Sequence, residues 1–182
     1  MQFPTKYNCL IQNEFKALDH KIIPIRYEDR LDIMKWRNEQ MYHLRQEKPL
    51  TEIDQEKYFR KTVSDLFDQE KPKQILFSFL KNGKCIGYGG LVHINWIDKN
   101  AEISFITNTE LEKDYFSKYW TIFLNLIEQV AFKELNLFKI FTYAYDLRPL
   151  LYVILEDSGY IKEKEIIDQP VKIVIHSKFN QI

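Results

Sequence analysis

The sequence predicts an α/β fold of the α+β kind: a mixed, mostly antiparallel central sheet that carries one parallel βαβ pair, with helices on both faces. Three observations point there. Apolar runs divided by short turn signals make an antiparallel meander between Ile75 and Thr107. From Asp114 to Glu134 apolar residues recur at helical spacing, and an alternating run follows, as a crossover helix between two parallel strands requires. The C-terminal residues alternate on both sides of a turn, as a hairpin does.

At 182 residues the chain holds one full core but not two comfortable domains. A single domain over 1–182 is expected, with residues 1–20 as an N-terminal extension packed on it. Lys+Arg and Asp+Glu number 26 each, so no basic field is available to hold a phosphate backbone, and nucleic acid is not expected as a partner. No apolar run is long enough to span a bilayer, so no membrane partner is expected either. The first residues lack the basic start and continuous apolar core of a signal peptide, which places the expected chain in the cytoplasm. Cys9 and Cys85 are isolated, which suits free thiols in a reducing compartment. His20, His43, His93 and His176 are equally scattered, so no metal is expected.

In chain order, Tyr7 to Ile11 is an apolar lead-in, and Ile22, Ile23 and Ile25 around Pro24 form a first strand. A helix runs from Glu28 through Gln46, opened by acidic residues as its dipole prefers. Thr51 and Asp54 make a capping box for a second helix, whose buried stripe is Tyr58, Phe59, Val63, Leu66 and Phe67 and which ends at Lys71-Pro72. Strands follow over Ile75–Leu80, Cys85–Ile94 and Ala101–Thr107, separated by the hairpin turn Asn82-Gly83 and the polar break Asp98-Lys99-Asn100. After the long helix come a strand over Phe138–Tyr145 and a short helix over Leu147–Asp157, with Pro149 in its first turn and Gly159 at its stop. Strands over Tyr160–Ile167 and Val171–Lys178, joined through Asp168-Gln169-Pro170, complete the chain.

The order of IGYGGL (86–91), AEISFI (101–106), a long helix, ELNLFKIFTYAY (134–145), a short helix and EDSGY (156–160) resembles the GCN5-related N-acetyltransferases. The likeness is to the branch that modifies ribosomal-protein termini and amino sugars, and it runs from about Ile25 to the C-terminus. It implies two parallel strands that splay apart at one end and acetyl-CoA as acyl donor, with its pantetheine arm paired to exposed backbone in the gap. A homodimer is a candidate assembly, with the oligomeric state left open.

Acetyl transfer to an amine needs a base, a polarised carbonyl and a proton for the leaving thiolate. The resemblance implies Glu102 as the base, and His93 on the adjacent strand has the intrinsic pKa of a proton shuttle. Glu102 also reads as a solvent-exposed strand-end carboxylate, and His93 as a packed side chain. The position of the family's acidic tyrosine falls on Leu155, which cannot donate, so Tyr152 one turn earlier is the candidate. For the donor, Phe105, Ile106 and Thr107 offer backbone amides. No glycine occupies the phosphate loop that the family places before the long helix; Lys113, Ser117, Lys118 and Arg148 are the residues left to hold diphosphate. Trp36, Arg37, Tyr42, Arg45, Gln46, Trp96, Tyr143 and Tyr145 are expected along the acceptor groove. Arginines among aromatics suit an anionic small-molecule amine such as a nucleotide-linked amino sugar. A non-catalytic binding module with a degenerate loop and a protein N-terminal acetyltransferase are the competing readings.

Overall fold

A computed structural model describes residues 2–168 and 170–181. Its centre is an eight-stranded sheet in the order β1-β2-β3-β4-β5-β6-β8-β7. The strands are β1 (Phe15–Ala17), β2 (His20–Pro24), β3 (Ile75–Lys81), β4 (Lys84–Asn95), β5 (Asn100–Thr107), β6 (Lys139–Tyr145), β7 (Ile161–Asp168) and β8 (Val171–Phe179). Every pairing is antiparallel except β5 with β6. The expected architecture is the one observed. β1 escaped the sequence reading because three residues are too short to show alternation. The turn between β7 and β8 includes Gln169, which lies outside the described residues.

At the β3–β4 turn, Asn82 (φ 49°) and Gly83 (φ 81°) are both left-handed, the geometry whose twist suits a two-residue hairpin. One face of the sheet carries α1 (Arg30–Glu39) and a helical rod made of α2 (Glu52–Lys57), a wide π segment (Tyr58–Val63) and α3 (Ser64–Leu66). The capping box is complete: Thr51 Oγ1 accepts from Asp54 N–H, and the Asp54 carboxylate accepts from Thr51 N–H. The other face carries α4 (Thr109–Glu128), extended by a π segment (Gln129–Glu134), and α5 (Pro149–Asp157).

Three helix boundaries differ from expectation. The rod ends at Leu66, short of Lys71-Pro72. α1 stops at Glu39 rather than Gln46, because the Gln40 side chain turns away to bond β5 and the chain tightens into a 3₁₀ turn over Met41–His43. α4 begins at Thr109 rather than Asp114. Asn108 Oδ1 caps it by accepting from Glu110 N–H, and the first turn is acidic, so its apolar stripe becomes visible only further on. A single residue, Asn108, therefore joins β5 to α4.

The stripe of α4 buries Tyr119, Trp120, Phe123, Leu126 and Ile127 against the sheet. Phe123 stacks on Phe105 at 4.0 Å between ring centroids. A Cβ at Gly89 would lie 2.8 Å from Phe123 Cζ and 2.2 Å from Ser104 O, so this close approach requires glycine. The N-terminal segment is tied to the same domain: Tyr7 stacks on Phe67, and its hydroxyl bonds both the carbonyl and the amide of Leu76 at 3.0 Å.

Candidate functional site

β5 and β6 pair only over Asn100↔Lys139, Ala101↔Ile140 and Glu102↔Phe141. Beyond that rung β5 follows β4 as far as Thr107, and β6 follows β8 as far as Tyr145. Each strand stays with its antiparallel partner, so the two diverge and their facing edges lack a ladder partner. The wedge between them is a cavity of ≈ 80 Å³ bordered by Ser104, Phe105, Thr142 and Tyr143 and floored by Trp120. Thr142 Oγ1 is buried here with no hydrogen-bond partner among the described residues.

Glu102 closes the narrow end. It is 5% exposed, which removes the reading of a solvated strand-end carboxylate. Its carboxylate pairs with the Arg45 guanidinium through Oε1 and lies 3.7 Å from His93 Nε2 through Oε2. Burial pushes the Glu102 carboxyl above the usual range, against the opposing pull of Arg45 and His93. His93 is not packed: its side chain is 69% exposed. The β4–β5 register shifts between Val92 and Asn95, and His93 adopts φ 50° within that bulge. Strand alternation would otherwise turn His93 away from the face that Val92 shares with Glu102. The Arg45 guanidinium also lies over the Tyr143 ring, 4.8 Å from its centroid.

Arg148 guards the wide end. Its Nη1 is 3.5 Å from Glu112 Oε1 and 3.4 Å from His43 Nε2, and its guanidinium covers Phe116 at 5.6 Å. His43 Nε2 also lies 3.1 Å from Gln40 Oε1. Burial, reinforced by the Arg148 charge, holds the His43 imidazole neutral down to about 3. Gln40 Nε2 donates to Thr107 O and Thr109 Oγ1, and Thr109 Oγ1 donates to the Glu39 carboxylate. The C-terminal end of α1 is thus locked onto the start of α4.

This arrangement corrects several expectations about the diphosphate end. Residues 112–117 form no loop; they are the first turns of α4, with Glu112 N–H already bonded to Asn108 O. Lys113 and Ser117 are exposed on that helix, and the Ser117 carbonyl accepts from Thr121. Lys118 faces Asp19 and His20, on the side of α4 away from the wedge. The amides expected of Phe105, Ile106 and Thr107 stand on β5 beyond its last rung with β6, and the Thr107 carbonyl accepts from Gln40. Phe105 borders the wedge while its ring stacks in the core, and Arg148 borders it directly.

A second cavity of ≈ 310 Å³ lies under α1 and α2, against the opposite face of β4 and β5 from α4. Its wall is apolar, from Ile33, Leu76 and Val92, with Arg37 and Tyr88 set into it. Arg37 Nη1 donates to Tyr88 Oη at 2.6 Å and Nε donates to Gln46 Oε1 at 3.0 Å. Ser104 borders both cavities, so they lie next to each other at the middle of β5.

Of the expected acceptor residues, Arg45, Tyr143 and Tyr145 border the wedge, Arg37 borders the second cavity, and Gln46 orients Arg37 from behind. Trp36 does not face a groove; it is 3% exposed in the core because its helix turns it inward. Trp96 donates from Nε1 to Pro72 O outside both cavities. Tyr42 is exposed and sits edge-on to His43. Tyr152 is turned away from the wedge: its hydroxyl donates to Asp146 Oδ1 at 2.9 Å and its ring stacks on His176. Leu151, its neighbour, borders the wedge instead. Sequence reasoning passed over Gln40, Tyr88, Ser104 and Thr142, none of which carries a local signal beyond its strand or helix pattern.

Residues 22–166 match the model of a family described as an acetyltransferase (GNAT) domain. Among curated proteins none matches the chain. A structure of spermidine N-acetyltransferase from Vibrio cholerae in complex with CoA and spermine shares the fold at TM-score 0.75 and 18% identity, over 89% of this chain and 96% of that one. A dodecameric structure of the enzyme from the same organism, in an intermediate state, matches at TM-score 0.69 and 19% identity over 88% and 94%. Both are spermidine N-acetyltransferases, so the likeness to the ribosomal-protein and amino-sugar branch stays an expectation from the sequence.

Proposed function

The chain belongs to the acetyltransferase (GNAT) family, an N-acetyltransferase with acetyl-CoA as acyl donor, and from that premise we propose that the wedge beside Glu102 is where an acetyl group passes to the primary amine of a small molecule. The observation that carries this reading is a pair of cavities that share Ser104 as a wall, next to a buried carboxylate and along two strand edges free of partners. One cavity suits an extended arm and the other an acceptor.

The residues present fit the arm of the donor: the free edges offer backbone donors and acceptors, and the Thr142 hydroxyl lacks a partner. At the diphosphate end, Arg148 is the cation that borders the wedge, in place of a glycine loop. When bound, acetyl-CoA supplies an acyl thioester. Glu102 takes the proton that the amine loses as its nitrogen bonds to the acyl carbon, and its raised pKa makes it a better base than an ordinary carboxylate. His93, exposed at 3.7 Å, passes that proton to solvent. Amides of β5 beyond Glu102 polarise the carbonyl. Tyr143 and Tyr145, rather than Tyr152, are the hydroxyls beside the wedge that serve the leaving thiolate.

The finer expectation, a nucleotide-linked amino sugar, is supported by Arg37 in the acceptor cavity. A polyamine is the second reading, favoured by the substrates named for the similar structures. Against it stands the acceptor cavity itself, whose one carboxylate, Asp54, is engaged in the Thr51 cap.

The test is calorimetry with acetyl-CoA, together with mass spectrometry of a panel of amines incubated with enzyme and donor. Micromolar binding and an acetylated amine are expected. No heat and no product would end the reading in favour of a non-catalytic module, and acetylated peptides alone would favour a protein N-terminal acetyltransferase.

A further inference from the structure

We infer that the cavity over β4 holds an anion subsite, in which Arg37 binds the carboxylate or phosphate end of an elongated acceptor whose primary amine reaches Glu102. This rests on the acetyltransferase reading and names the class of its acceptor.

The chain has six arginines. Five pair with a carboxylate: Arg26 with Asp29, Arg30 and Arg60 with Glu56, Arg45 with Glu102, and Arg148 with Glu112. Among the described residues Arg37 alone has neutral partners, Gln46 Oε1 and Tyr88 Oη. A guanidinium set into an apolar wall is costly unless its charge is met. Here the surroundings orient the charge without meeting it. Gln46 is held by Asn38 Oδ1 at 2.9 Å, and Asn38 is held in turn by the backbone of Leu50. The fork has five N–H donors, of which two are used, so it is preorganised for a planar oxyanion.

The register sets the shape of the ligand. Glu102 pairs with Val92, Ser104 with Gly90, and Ile106 with Tyr88, the residue that touches Arg37. Glu102 and the Tyr88 rung are thus four residues apart on β5, about 13 Å. Ser104 lies between them, and the intervening wall at Val92, Leu76 and Ile33 is apolar. One end of the acceptor is an amine and the other an anion, with its body lying against this wall. A polyamine would bring a second ammonium against Arg37, which like charges oppose.

The experiment measures calorimetric affinities of the full chain, without donor, for two matched pairs and one polycation: 4-(aminomethyl)benzoate against 4-(aminomethyl)benzamide, glucosamine 1-phosphate against glucosamine, and spermidine. In at least one pair the anionic member should bind about tenfold or more tightly, as a charge-assisted contact to an unmatched guanidinium provides. Which pair responds distinguishes carboxylate from phosphate. Arg37→Gln should bring the ratio to about one, and Arg37→Lys should keep part of it. Equal or weaker binding of the anion in both pairs overturns the inference, as does tightest binding of spermidine, and neither result needs a variant that folds. Acetylation of each probe is scored separately. An anionic probe that binds selectively but is never acetylated supports the subsite and counts against the acetyl-transfer reading instead.

Discussion

The wedge and the acceptor cavity lie along one strand, share Ser104, and treat charge in opposite ways. In the wedge each cation faces a carboxylate of the same chain, Arg45 with Glu102 and Arg148 with Glu112, and its imidazole, His43, is kept neutral. In the second cavity a single guanidinium is held by one amide and a phenol. Internally matched charge sets protonation states and holds elements together, whereas unmatched charge in an apolar wall is a demand on a ligand. On the proposed reading, the difference separates groups that work on the reaction from a group that selects what enters.

The largest expected effect comes from breaking the match at the narrow end. Glu102→Gln removes the base while keeping the volume, and kcat should fall by about 10²–10⁴-fold with the Kd for acetyl-CoA unchanged. Because burial raises the Glu102 pKa, the acid limb of the wild-type kcat/KM profile should lie above the ordinary carboxylate range, with the rate rising as Glu102 loses its proton. That limb should vanish in the variant. Its persistence would assign the base elsewhere.

At the wide end the effect should be smaller and should fall on binding. Arg148→Gln is expected to weaken acetyl-CoA by about tenfold, the worth of one charge-assisted phosphate contact, while kcat at saturating donor stays close to wild type. An unchanged Kd would mean that Arg148 serves only to pair Glu112 and pack on Phe116.

The smallest effect is on stability. His43 stays neutral in the fold down to about 3, whereas an unfolded imidazole takes up a proton near 6.5. Between those values the unfolded chain binds the extra proton, so stability falls as pH is lowered through the window. From pH 6.5 to 5 this amounts to at most about 2 kcal/mol, or roughly 4–8 °C in melting temperature. His43→Gln should remove that share of the acid sensitivity, leaving the remainder to other groups. Melting curves of both proteins at pH 7 and 5 measure it.

Much of the fold was legible because its signals are local. Asn82-Gly83 states its own turn, and Thr51 and Asp54 meet within one helical turn. Phe138 to Tyr145 alternates whatever lies beside it. Glu102 could be singled out because the resembling family places a base at that point of the strand before the crossover helix. The site was less legible. Nothing near Gln40 announces a bond to Thr107, and nothing near His43 announces Arg148. Trp36 and Arg37 are adjacent, yet one enters the core and the other the second cavity.

By itself the sequence determined the strands, the turns, the long helix and the order that identifies the family, because periodicity and turn chemistry act over a few residues. Only the tertiary structure decided where β5 and β6 part, that α4 begins immediately after β5, and which arginines find a carboxylate. Those outcomes depend on which distant segments are brought within hydrogen-bonding range, and Coulomb and hydrogen-bond energies fall off with distance in space, not along the chain.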